Sequence, residues 1–203
     1  MKILIVKYLP SGANSNTKKV LDLFLTKVTN HEIQTLDLLK EPAPIFDEES
    51  IQAYYKRNYG GKKLDEKEAK LLAKNDKLIA QLKAVDLLVL AFPMHNFGIP
   101  AAMKAYMDAV IFKGETFEPG QKLMAKKKAL VLYTSGGNYA EDKFDFNYPN
   151  WNSIILNVNS SFSYMGFDDS AVIGGSIRDE KTSEKNLQEL QNKIITLLKK
   201  WSI

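Results

Sequence analysis

The chain contains no cysteine, which excludes disulfide staples and thiolate nucleophiles. It has two histidines, His31 and His95, too few and too far apart for a histidine-rich metal site, and no cluster of acids with metal-ligand spacing. No uninterrupted apolar stretch approaches the ~20 residues of a membrane span. A strand begins at Lys2 with no charged segment and long apolar run before it, so no signal peptide is expected and a cytoplasmic location is. The motif G-x-x-x-x-G-K-[ST] of nucleotide triphosphatases is absent, as are the dinucleotide fingerprint G-x-G-x-x-G and the hydrolase elbow G-x-S-x-G. No basic run is interleaved with aromatics, and no nucleic-acid-binding motif occurs. Nucleic acid and membrane are therefore not expected partners, and no metal is expected.

What is present is an ordinary globular composition, with 45% hydrophobic and 26% charged residues over 203 positions. That length suits one domain, 1–203, with an excursion at about 41–64. The net charge of +4 comes from solvated lysines such as Lys62-Lys63 and Lys126-Lys127-Lys128, and gives a mild field that attracts anions. Short apolar runs at 2–7, 86–92 and 129–133 read as strands buried on both faces, and 31–38 and 169–174 as weaker ones. Helical periodicity covers 14–28, 65–83, 100–112, 151–165 and 184–201. This alternation predicts a three-layer α/β sandwich around a five-stranded parallel sheet, with right-handed crossovers and strand order 2-1-3-4-5. In such a sheet the ligand crevice lies beyond the carboxyl ends of strands one and three, where the order reverses.

Three loops fall at that edge. The first, Ser11-Gly12-Ala13-Asn14-Ser15-Asn16-Thr17, leads from strand to helix. Its hydroxyl and amide side chains, together with free helix N–H groups, can cradle a phosphate without any lysine or arginine. Read alone, it is equally an N-capping cluster with no ligand. The second, Pro93-Met94-His95-Asn96-Phe97-Gly98-Ile99-Pro100, is bounded by prolines. Met94 and Phe97 offer apolar contact to a flat ring, although both side chains are equally at home in a core. The third, Thr134-Ser135-Gly136-Gly137-Asn138, lets backbone N–H groups approach a polar ring edge. Each loop alone is ambiguous; three on one crevice suit a flavin.

These residues resemble the FMN-dependent NADH-azoreductase family, a quinone-reductase branch of the flavodoxin-like proteins. Met94-His95-Asn96-Phe97 matches the family's M-Y-N-F loop, Thr134-Ser135-Gly136-Gly137 its S-R-G-G loop, and Ser15-Asn16-Thr17 its S-x-S phosphate loop. Ile99-Pro100-Ala101-Ala102-Met103-Lys104-Ala105-Tyr106 and Gly114-Glu115-Thr116-Phe117 are also similar. The resemblance extends over essentially the whole chain. It implies a flavodoxin-like fold, FMN as cofactor, NADH or NADPH as co-substrate, a quinone or azo compound as acceptor, ping-pong hydride transfer and a homodimer. It assigns FMN to Ser11, Ser15, Asn16, Thr17, Pro93, Met94, His95, Asn96, Phe97, Thr134, Ser135, Gly136 and Gly137. Phe117, Phe144, Tyr148 and Tyr164 are the candidate substrate-lining residues.

No catalytic side chain is assigned, since the chemistry is centred on the flavin. His95 is the candidate proton donor, and the alternative reading makes it a packing residue in place of the family's tyrosine. Two other departures are Leu9, where the family has a serine for which Ser11 can substitute, and Ser135, where it has an arginine. The competing reading is a flavodoxin-type electron carrier with no small-molecule substrate. The chain's basic charge and extra lid material weigh against it.

Overall fold

The computed structural model describes residues 1–137, 153–177 and 180–203, and of 153–157, 159 and 180–182 the backbone only. Five strands form one parallel sheet: β1 (Lys2–Lys7), β2 (Glu32–Asp37), β3 (Leu87–Pro93), β4 (Lys128–Ser135) and β5 (Asp169–Ser176). Their order is β2-β1-β3-β4-β5, as expected. Among the described residues six α-helices connect or follow them: α1 (Asn16–Leu25), α2 (Glu48–Tyr54), α3 (Glu66–Lys83), α4 (Ala101–Val110), α5 (Ser153–Met165) and α6 (Glu180–Lys200). No helix of the described residues is long and apolar enough to cross a membrane.

The period-two alternation of each central strand divides the core in two. Leu4, Val6, Leu88, Leu90, Phe92, Ala129 and Val131 face α3, α4 and α5. Ile3, Ile5, Leu87, Val89, Leu130 and Leu132 face α1 and α6. The runs 3–6 of β1, 87–92 of β3 and 129–133 of β4 are therefore apolar, the pattern that makes these strands legible. β2 is an edge strand, and only Leu36 in it is buried, which is why its alternation is weak.

Helix starts follow capping chemistry. Asp47 with Ser50 and Asp65 with Glu68 form reciprocal capping boxes at α2 and α3. α1 begins at Asn16 rather than at 14, because Gly12–Asn14 forms a separate 3₁₀ turn and Ser15 is the N-cap. The excursion holds more order than the expected short helix and loops. α2 runs on into a π-helical turn, Tyr55–Tyr59. There the rings of Tyr54, Tyr55 and Tyr59 meet at centroid distances of 5.5–5.7 Å, and Asn58 Nδ2 donates to the Lys113 carbonyl at 2.7 Å.

The C-terminus is fastened to the start of the sheet. Trp201, nearly buried, donates from Nε1 to Asp169 Oδ2 at 2.9 Å, and Lys200 Nζ reaches the same oxygen at 2.6 Å. Lys128 Nζ donates to the Trp201 carbonyl at 3.0 Å. Partial burial by itself raises the Asp169 pKa, but the bonds from Lys200 and Trp201 outweigh it and hold the carboxyl below its ordinary value. The group is therefore more acidic folded than unfolded. Its contribution is complete above the unfolded pKa and disappears as pH falls through the folded one. Asp169→Asn is expected to lower the urea midpoint at neutral pH, with a smaller gap to the wild-type chain at a pH below the ordinary aspartate value. An equal gap at both pH values would refute the ionic account.

Candidate active site

The carboxyl ends of β1, β3 and β4 open into one cleft of about 310 Å³. It is lined by Ser11, Asn14, Ser15, Asn16, Thr17, Pro93, Met94, Thr134, Ser135 and Gly136. All of these but Asn14 are expected site residues. Asn14 lies in the same polar run and is an addition. The lining carries no charged side chain, so any anion held there is held by dipoles and neutral donors.

The first wall is the β1–α1 loop. Gly12, at φ +55°, makes the turn that a side chain would strain. The amides of Gly12, Asn14 and Ser15 are occupied by the carbonyls of Leu9, Ser11 and Gly12. Those of Asn16 and Thr17, in the first turn of α1, have no acceptor among the described residues. Ser15 Oγ accepts from Lys18 N at 3.2 Å and keeps its own hydrogen to donate. Free N–H groups, a helix dipole and hydroxyl donors thus converge, the donor set that a phosphate ester needs. Leu9 is buried in the core with Val20 and Phe24, whereas Ser11 is exposed on the cleft. The hydroxyl available at this point therefore belongs to Ser11.

The second wall continues β3. Met94 N donates to the Thr134 carbonyl at 2.7 Å, extending the β3–β4 ladder past its last strand residues. His95 and Gly98 then exchange two backbone bonds, of 3.1 and 2.8 Å. Asn96 and Phe97 between them have φ values of 42° and 66°. This is a two-residue turn of type I′, with both central residues left-handed. Asn tolerates that conformation; Phe does so only under strain. His95 is exposed, and its ring meets the Tyr8 ring edge-on at 5.7 Å. Tyr8 is thus an aromatic neighbour of His95 that the sequence had not indicated. His95, Asn96 and Phe97 are not among the lining residues; they make the turn just beyond Met94.

The third wall is the β4 loop. Thr134 and Ser135 are buried. Ser135 Oγ donates to the Gly137 carbonyl at 2.8 Å, so this hydroxyl stabilises its own loop, and Gly137 itself is not a lining residue. Thr134 Oγ1 lies 2.6 Å from Thr17 Oγ1. This bond joins the first and third loops across 117 residues of sequence.

Two of the four aromatic candidates do not line this cleft. Phe117 and Tyr164 stack on each other at 4.8 Å, but not at this cleft. Tyr164 is the penultimate residue of α5, next to Met165, whose carbonyl accepts from Met124 N. α5 leads into the first residue of β5, paired with the first residue of β4. Phe117 follows the far end of α4. Both therefore sit at the amino-terminal edge of the sheet, away from the cleft within one chain. Phe144 and Tyr148 lie outside the described residues.

A family model described as the flavodoxin-like fold matches residues 1–198. The chain belongs to that flavodoxin-like family. Flavodoxin-like relatives include an FMN-dependent NADH:quinone oxidoreductase of Hydrogenovibrio crunogenus, 32% identical over 88% of this chain and 92% of its own. One of the same name from Psychromonas ingrahamii is 32% identical, over 90% of this chain and 87% of its own. Among solved structures, the FMN-dependent NADH-azoreductase of Bacillus anthracis in complex with FMN superposes with a TM-score of 0.82. The two share 24% identity over 97% of this chain and 99% of that one, a likeness that establishes the flavodoxin-like fold.

The strained turn yields a test. In Phe97→Gly, relief of the left-handed backbone and loss of chain entropy nearly cancel, so stability should stay within about 1 kcal/mol of wild type. A large drop in the urea midpoint would show instead that the Phe97 ring is part of the core.

Proposed function

We propose that the chain is an FMN-dependent oxidoreductase that uses NADH to reduce quinones and azo compounds. The observation that carries this reading is the uncharged, donor-rich cleft at the strand-order reversal, in a chain whose relatives are FMN-dependent NADH:quinone oxidoreductases. The donor set fits FMN. The Asn16 and Thr17 amides and the side chains of Ser11, Ser15 and Asn16 would take the phosphate. Pro93, Met94 and the His95–Gly98 turn would flank the ring, and the β4 loop from Ser135 to Gly137 would meet its polar edge. Held there, FMN would supply two-electron redox chemistry between NADH and the acceptor.

The protein's own part is positional. The rigid ends of β1, β3 and β4 fix three loops relative to one another, so donors need no reorganisation when a ligand arrives. Reduction of a quinone takes up two electrons and two protons. Exposed His95, beside Tyr8, can exchange a proton with water, but water itself reaches the same rim, so turnover does not require the imidazole. NADH and the acceptor would occupy the cleft in turn, which gives ping-pong kinetics.

We further take the working unit to be a cytoplasmic homodimer. Tyr55 and Tyr59 leave large exposed ring surfaces on the π-helical turn, the type of residue enriched where copies meet. In such a dimer Phe117 and Tyr164 could border only the other copy's cleft.

The test is spectroscopic. After incubation with FMN and desalting, the protein should retain a flavin spectrum that bleaches with NADH under anaerobic conditions and recovers with a quinone. Retained flavin that NADH does not bleach would favour an electron carrier, and no retained flavin would reject the assignment. His95→Tyr should keep both FMN and most of the quinone turnover. Abolished turnover with FMN still bound would make the imidazole catalytic.

A further inference from the structure

The Thr17–Thr134 hydroxyl pair contains one hydrogen more than its mutual bond uses. Each hydroxyl carries a single hydrogen. One lies between the two oxygens, 2.6 Å apart, and either oxygen can be its donor. The remaining hydrogen has no acceptor among the described residues, although both side chains are almost fully buried, at 0% and 5% exposure. Both residues line the cleft. A buried donor without an acceptor is costly, and the cleft is the open space that both residues border.

The direction of the pair decides where that hydrogen goes. If Thr17 donates to Thr134, the free hydrogen belongs to Thr134, on the β4 loop. If Thr134 donates to Thr17, it belongs to Thr17, in the first turn of α1 beside the unpaired Asn16 and Thr17 amides. An anionic acceptor at that helix end favours the second arrangement, because a hydrogen bond to a charged group is stronger than one to a neutral group. Donation from Thr134 also polarises the Thr17 hydroxyl and makes its outward hydrogen a better donor.

Resting on the proposed function, we infer that Thr134 is a positioning residue for the phosphate end of FMN, acting through Thr17, rather than a contact to the ring. Its place on the β4 loop, after the fourth strand, points by sequence to the ring edge; the hydroxyl pair reassigns it. The pair also ties the β4 loop to α1, so phosphate recognition depends on a residue more than a hundred positions away.

The experiment compares FMN with riboflavin, which has the same ring and no phosphate. Dissociation constants are measured by quenching of flavin fluorescence for the wild-type chain, Thr134→Val, Thr134→Ser, Thr17→Val and the double valine variant. Valine keeps the shape and removes the hydroxyl. Thr134→Val should weaken FMN about tenfold and leave riboflavin unchanged, and Thr134→Ser should restore FMN. The double variant should bind FMN no worse than Thr17→Val alone, since both changes remove one pathway. Equal weakening of FMN and riboflavin in Thr134→Val would overturn the inference in favour of a ring contact or a general packing role. Unchanged FMN affinity would overturn it as well, while leaving the proposed function intact. A wild-type chain that binds neither flavin would overturn both. Should Thr134→Val fail to fold, Thr17→Val and Thr17→Ser carry the same comparison: valine must lower the FMN preference over riboflavin and serine must retain it.

Discussion

Everything functional in this chain depends on the reversal of direction at β1. The first crossover, through α1, lays β2 on one side of β1; the next carries the chain back over the opposite face to β3 on the other side. Right-handed crossovers then force α1 onto one face and α3, α4 and α5 onto the other; α6, after the last strand, packs beside α1, the same division that the two apolar clusters show. The loops after β1 and β3 leave the sheet toward opposite faces, and a crevice opens between them. The β4 loop closes its third side, held by the Met94–Thr134 backbone bond and the Thr17–Thr134 hydroxyl pair. Parallel strands, the hand of the crossovers and one change of direction suffice to make the cleft; the side chains decide what it can hold.

Much of this was legible because the physics is local. Leu87 to Phe92 is apolar at every position, and only a strand covered on both faces needs that. The apolar periodicity of 65–83 likewise reveals α3, whose cap is Asp65. The polar run from Ser11 to Thr17 can be read as a helix-start anion site from residue type alone, and the cleft brings Ser11, Ser15, Asn16 and Thr17 together with Asn14. Other features depend on distance in the chain or on backbone conformation, and residue type carries little of either. Asn96-Phe97 forms a turn usually signalled by Asn-Gly, so nothing in the residue pair points to it. The Thr17–Thr134 bond is invisible without the sheet register. That Phe117 and Tyr164 lie away from the cleft within one chain is likewise invisible in residue type; only the direction of α4 and α5 tells the two ends of the sheet apart.

The cleft's neutrality distinguishes it from sites that hold phosphate by ion pairing. Its donors are amides and hydroxyls on elements that are rigid before any ligand arrives, so binding depends on geometry more than on long-range attraction. Lysines are abundant elsewhere but form pairs on the surface, such as Lys56 with Glu68 and Lys83 with Glu115. The net positive charge therefore acts on approaching anions from outside the cleft, while orientation inside it rests on uncharged groups.

The edge strand β2 carries a further implication. It ends the sheet with Glu32, Gln34 and Asp37 along a strand whose residues are almost all uncovered. A flat apolar edge invites a second sheet to dock and extend it, the first step toward fibrous aggregates; acidic and polar residues along an edge oppose that by repulsion and by the cost of removing them from water. Two copies meeting at β2 would have to strip water from these acidic and polar side chains. Association is thereby discouraged along the hydrogen-bonding direction of the β2 edge, where backbone rather than side chains would decide whether two sheets match.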